Sequence, residues 1–186
     1  AGELCFLSAG ATAHQLIRRT SIGLDVGRLG NGGPARDVSG DDATDSDPVG
    51  GVTGTYTLTS GQSETTVDAG FYQYASLGDF VWVDADANGE QDAGEVGIAD
   101  VTVTLIDANG NDVSTTTTGA LGDYLFSNLI PGSYSVRFTT PDGYVATTVN
   151  TGDDNADSDP EEGETGSYTL ASGESNMTVD AGFYQY

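Results

Sequence analysis

The residues best suited to chemistry in this 186-residue sequence stand in one run, Asp84-Ala85-Asp86-Ala87-Asn88-Gly89-Glu90-Gln91-Asp92-Ala93-Gly94-Glu95. The run meets the pattern D-x-[DN]-x-[DN]-G-x5-E at every fixed position. Calcium takes roughly six to eight hard oxygens, and this spacing delivers them from one turn of chain. Asp84, Asp86 and Asn88 are placed to offer side-chain oxygens and Glu90 its backbone carbonyl. Asp92 would contribute directly or through water, and Glu95 would close the site in bidentate fashion. Gly89 permits the bend that folds the loop back on an ion. The competing reading is an acidic, solvated loop. The flanks carry strand and turn signals rather than two amphipathic helices, so a sensor that opens a groove on binding is not expected.

A second set of carboxylates is Asp153, Asp154, Asp157 and Asp159, and it recurs as Asp41, Asp42, Asp45 and Asp47. Four carboxylates this close repel one another unless a cation or solvent separates them. Both a further calcium site and a solvated, charge-extended loop fit that pattern. Asp180 and Asp68 stand in closing strands and either join a site or end a ladder. His14 and Cys5 are the sole members of their types, and neither has a recognisable nucleophile context. Acidic pairs for glycoside hydrolysis lack an accompanying aromatic cleft signature, so no enzyme is expected. Lysine is absent, which excludes Schiff-base chemistry, P-loop phosphate binding and Lys–Asn isopeptide staples. Asn176-Met177-Thr178 fits a glycosylation sequon, which a closing strand would bury.

Charge and repetition outline the elements that could position these residues. The formal charge of −24 argues against nucleic-acid backbones and anionic membranes as partners. Apolar runs are too short for a transmembrane helix. No Met-initiated, basic and then apolar leader opens the sequence, as expected of a mature form or a fragment. Residues 1–37 hold four arginines against three acidic groups, whereas residues 38–186 hold Arg137 against 26 acidic groups. Residues 39–74 align without a gap on residues 151–186, with 25 of 36 positions identical. Each copy has a Tyr-Thr-Leu strand (Tyr56–Leu58, Tyr168–Leu170) and closes on Val-Asp-Ala-Gly-Phe-Tyr-Gln-Tyr. Three parts result: a divergent segment 1–37 of unassigned fold, a partial repeat 38–74 and a complete module 75–186. Ala11 to Arg19 has room for about two helical turns, and the glycines from Gly23 onward prevent a longer helix.

Within the complete module the apolar pattern has period two. Phe80 and Trp82 alternate with Val81 and Val83, and Val101, Val103 and Leu105 alternate with Thr102 and Thr104. Tyr124–Phe126, Tyr134–Phe138 and Met177–Val179 continue it, with turns at Ala108–Asn111, Pro131-Gly132 and Pro141–Gly143. About seven short strands predict an all-β fold, an antiparallel β-sandwich preceded by a partial copy. Trp82, Phe126, Tyr134 and Phe138 are the predicted core aromatics.

Leu77–Asp84, the acidic loop, Gly97–Leu105, Gly132–Val136 and the ending Asp180–Tyr184 resemble the B-type repeats of serine-aspartate repeat adhesins. The likeness covers residues 75–186 and, as a partial copy, 38–74. It implies a prealbumin-like (Ig-like) sandwich, several bound calcium ions, and a stiff stalk on a secreted or cell-surface protein. Carried over, Asp84, Asp86, Asn88, Glu90, Asp92 and Glu95 form the site. The first copy lacks the calcium-loop half. The expected function is a calcium-stabilised extracellular structural module of an adhesin or fibre, with neighbouring copies of the module or subunit as partners. Alternatives are a subunit of a self-assembling filament, joined by strand addition or head-to-tail packing, and a ligand-binding adhesin domain with a host or matrix partner.

Overall fold

The structure is a computed structural model and describes residues 52–185. The chain divides into two compact units, Ala1–Tyr72 and Gln73–Tyr186. The segment 1–37, with Cys5, His14 and the predicted helical turns, lies outside the described residues.

The second unit holds nine strands: β1 (Ala75–Val83), β2 (Thr102–Asp107), β3 (Asp112–Thr117), β4 (Asp123–Leu129), β5 (Gly132–Phe138), β6 (Tyr144–Ala146), β7 (Tyr168–Leu170), β8 (Ser175–Asn176) and β9 (Ala181–Gln185). One sheet runs β4-β1-β9-β6, with β8 also on β1; the other runs β3-β2-β5-β7. Most pairs are antiparallel, but β8 and β9 both lie parallel to β1. No described helix is long and apolar enough to cross a membrane.

Period-two alternation explains the core between the sheets. Leu77 and Val81 of β1, Val103 and Leu105 of β2, Val136 and Phe138 of β5, and Phe183 of β9 are all buried there. Tyr124 meets Phe126 and Phe138 edge-on, at centroid distances of 6.0 and 5.5 Å. Of the predicted core aromatics, Phe126 and Phe138 lie in this cluster and Tyr134 packs against it half-buried. Trp82 is fully buried but outside the cluster. Alternation turns it to the other face of β1, where its ring lies over Gly182; a Cβ there would come within 2.8 Å of it.

Two predicted strands are corrected. Met177–Val179 is not a strand, because side chains take over the ladder between β8 and β9. Thr178 donates from its amide and hydroxyl to Asn176 Oδ1, Tyr124 Oη donates to the Val179 carbonyl, and the Phe80 amide donates to Asp180 Oδ1. Tyr56–Leu58 is not a strand either, although its copy Tyr168–Leu170 is β7. β7 pairs antiparallel with β5, Gly132 opposite Leu170 and Tyr134 opposite Tyr168.

Candidate metal centre

The acidic loop leaves β1 at Asp84 and returns to the same strand. Val83 donates to the Val96 carbonyl, and Ile98 donates to that of Val81. Both ends of the loop are therefore pinned to one edge of the sheet. Asp84 is fully buried and is held by the Thr147 hydroxyl, the Gly89 amide (2.8 Å) and the Asn88 amide (3.2 Å). Burial raises its pKa, but these donors, together with the Ala87 amide, outweigh burial and hold the carboxyl below its ordinary value. Glu95 closes the loop, accepting from the Ala85 amide at 2.6 Å and the Asp92 amide at 2.9 Å. Gly89 adopts φ +89°, and a Cβ there would stand 2.6 Å from the Thr148 carbonyl oxygen.

The fold thus gathers Asp84, Asp86 and Glu95, each offering an oxygen within 4.8 Å of the others. Asp92 is not in that trio; its Oδ2 accepts from Asn88 Nδ2 at 3.0 Å. Asn88 Oδ1 accepts from the Glu90 amide at 2.7 Å. Three carboxylates and an amide oxygen on one small loop form a hard-oxygen donor set that could hold a metal ion.

The second cluster sits against this loop. Glu90 bridges Asp157 as an antiparallel pair, and the Gln91 amide donates to the Ala156 carbonyl at 2.6 Å. Asp154, Asp157 and Asp159 offer oxygens within 4.8 Å of one another. Asp157 is 5% exposed and its Oδ1 has no hydrogen-bond partner. Burial, and then the Asp154 and Asp153 carboxylates, push its pKa up. Asp153 stands outside the trio; Asn155 donates to it from both its amides and holds its pKa down. An orphaned buried carboxylate oxygen aimed among other acids is what a cation would satisfy. The repeated cluster Asp41, Asp42, Asp45 and Asp47 lies outside the described residues.

Behind the second cluster lies a buried acid group that sequence reasoning left undecided. Asp159 accepts from Tyr168 Oη and from the Asp180 amide, both at 2.7 Å, and burial pushes its pKa up to about 6. Asp180 is 2% exposed, and its Oδ2 has no partner. Burial first, then the Asp79 and Asp159 carboxylates, push its pKa up to about 9. Asp180 therefore takes the Phe80 amide of β1 in the gap between β8 and β9, and it lines the second cluster from behind. Thr147, which no spacing rule could reach, is the other missed residue; its sequence signal is only a Thr pair after a short strand.

Residues 75–183 match the family described as the SdrD B-like domain. Serine-aspartate repeat-containing protein D of Staphylococcus aureus (strain Newman) is 46% identical over 129 residues, 68% of this chain and 9% of that protein. Serine-aspartate repeat-containing protein F of Staphylococcus epidermidis is 46% identical over 121 residues, 64% of this chain and 7% of that protein. The chain thus spans under a tenth of either relative. A minor pilin of Streptococcus agalactiae aligns at 16% identity and a TM-score of 0.43, covering 69% of this chain and 58% of that one.

Proposed function

This chain belongs to the SdrD B-like domain family, and from that premise we propose that residues 75–186 serve as a calcium-stabilised structural module in the stalk of an extracellular, cell-surface adhesin. The observation that carries this reading is the convergence of Asp84, Asp86 and Glu95 on a loop whose two ends are bonded to one strand. A bound calcium ion would neutralise carboxylates that otherwise repel, and would tie the loop between β1 and β2 to the sheet. The module's work is mechanical rather than catalytic. Asp154, Asp157 and Asp159 would hold a second ion, with Asp157 Oδ1 as its buried ligand. Neighbouring copies of the module are its partners, because two closing segments of one design stand 112 residues apart in this chain.

Thermal unfolding in calcium and in chelator tests the reading. Extracellular calcium sites have dissociation constants of roughly 10⁻⁴ to 10⁻³ M, so 1 mM calcium adds about 0.4–1.4 kcal/mol per site. The two melts should separate, and Glu95→Ala should remove the first site's share of the separation. Superimposed melts of the unaltered protein would overturn the calcium reading.

A further inference from the structure

Glu90 belongs to the acidic loop by sequence, and the spacing of that loop calls on its backbone carbonyl alone. Its side chain has no task there. The fold turns that side chain toward the second cluster. Glu90 and Asp157 form an antiparallel bridge, and the Gln91 amide donates to the Ala156 carbonyl. A bond between flanking residues makes Glu90 and Asp157 a non-hydrogen-bonded pair. In such a pair the Cα atoms stand about 4.5 Å apart, and both side chains rise on one face. The backbone of Glu90 points the other way, and its amide donates to Asn88 Oδ1 within the first loop.

Gly152 shows where the Glu90 carboxyl group lies. Gly152 adopts φ +102°, and a Cβ there would run into Glu90 Oε1 and stand 2.8 Å from the carboxyl carbon. The acid therefore rests on the segment that carries Asp154, Asp157 and Asp159. Like charges directly opposite one another across a strand pair are destabilising. Burial, then Asp154 and Asp153, raise the Asp157 pKa, and Glu90 adds to them. Asp157 Oδ1, buried and without a hydrogen-bond partner, stands among these acids. A cation seated between them satisfies that oxygen and removes the repulsion together.

We propose that Glu90 is a ligand of the second ion, its carboxylate joining those of Asp154, Asp157 and Asp159, while its backbone carbonyl serves the first. The proposal rests on the reading that calcium fills both clusters, and it adds a residue that the loop spacing assigns elsewhere. Three carboxylates leave calcium short of its roughly six to eight oxygens, and Glu90 supplies one or two more. The second site is then built from two stretches of chain, and the bridge at Glu90 holds them in register.

Calorimetric titration of the full chain with calcium, after treatment with chelator, tests the assignment. Glu95→Ala should lose the first site. Glu90→Ala should keep the first site and weaken the second about tenfold or more, since even residues that only support a metal ligand are worth that much. Asp153→Asn removes a charge beside the same cluster at a position outside the trio, so it measures what charge alone does, and its effect should be smaller. Glu90 and Asp153 are both exposed, so neither variant should melt lower than the unaltered protein in chelator. If Glu90→Ala does, Glu90→Gln, of the same shape, takes its place under the same criteria. A second site left intact without the Glu90 carboxylate overturns the proposal, and so does a loss no larger than that of Asp153→Asn. Either result leaves the calcium reading standing, whereas an unaltered chain that takes up no calcium removes both.

Discussion

Asp84 and Asp180 are both buried aspartates near the candidate centre, and their surroundings push them in opposite directions. Asp84 gathers a hydroxyl and backbone amides, so its anion is favoured and ready to meet a cation. Asp180 has one amide donor, from Phe80, on Oδ1 and nothing on Oδ2, while Asp79 and Asp159 repel its charge. An acid whose pKa is raised in the fold favours folding while it is protonated. Its contribution is fully present below the unfolded value near 3.8 and is lost as pH climbs toward about 9. Metal-free protein should therefore melt progressively lower between pH 5 and pH 8. In Asp180→Asn, whose amide oxygen can still accept from Phe80, that slope should flatten, and melts at a series of pH values measure it. An unchanged slope would place the dependence elsewhere. The Asp84–Glu95 spacing was legible in the sequence because its candidate ligands are local. Thr147, 63 residues from Asp84, was not, since a loop contact at that separation leaves no periodic trace.

The acidic loop works as an element because its return segment extends the sheet where β4 stops. β4 pairs with β1 as far as Phe80 opposite Asp123, beyond which Val81 bonds to Gly122 and Ile98, and Val83 to Val96. Gly97 makes this possible: a Cβ there would lie 1.7 Å from the Leu121 carbonyl oxygen, so backbone rides directly on backbone. Gly97→Ala should cost about 1–3 kcal/mol by forcing the segment off the turn, and it should weaken calcium stabilisation as well, because Glu95 moves with it. Denaturant unfolding with and without calcium reads both effects. Arg137, the one cation of the module, bridges Asp112 at 2.9 Å and Glu164 at 3.3 Å on the outside of the second sheet. Exposed pairs are screened by water and salt, so Arg137→Ala should change stability far less than Gly97→Ala does. β1, β2, β4 and β5 were legible from alternation and turn residues, whereas β3 and β6 were not, and Met177–Val179 was read as a strand that does not form. The gap between β8 and β9 was not, because Asp180, Tyr124 and Asn176 compete with the backbone ladder only once they are brought together.

Across the whole chain, the two copies of the closing segment make the same side chains do different work. Leu170→Ala should cost about 2–5 kcal/mol, as a leucine truncated in a packed core does, whereas Leu58→Ala should stay within about 0.5 kcal/mol, as for an exposed position. Equilibrium unfolding followed at Trp82 compares them directly, and equal costs would mean that both segments close a core alike. By itself the sequence determined the acidic loop, the all-strand texture of residues 75–186 and the repeat, since each depends on spacing along the chain. Only the tertiary structure decided which residues share an oxygen cluster, that Trp82 turns away from the core, and that β9 lies parallel to β1. It also decided the fate of Val-Asp-Ala-Gly-Phe-Tyr-Gln-Tyr, written twice. In one copy Phe183 is sealed between sheets; in the other Phe71 is half-exposed. How deeply a strand is buried depends on the apolar face it meets, and that face is supplied by residues elsewhere in the chain, which the eight letters do not contain.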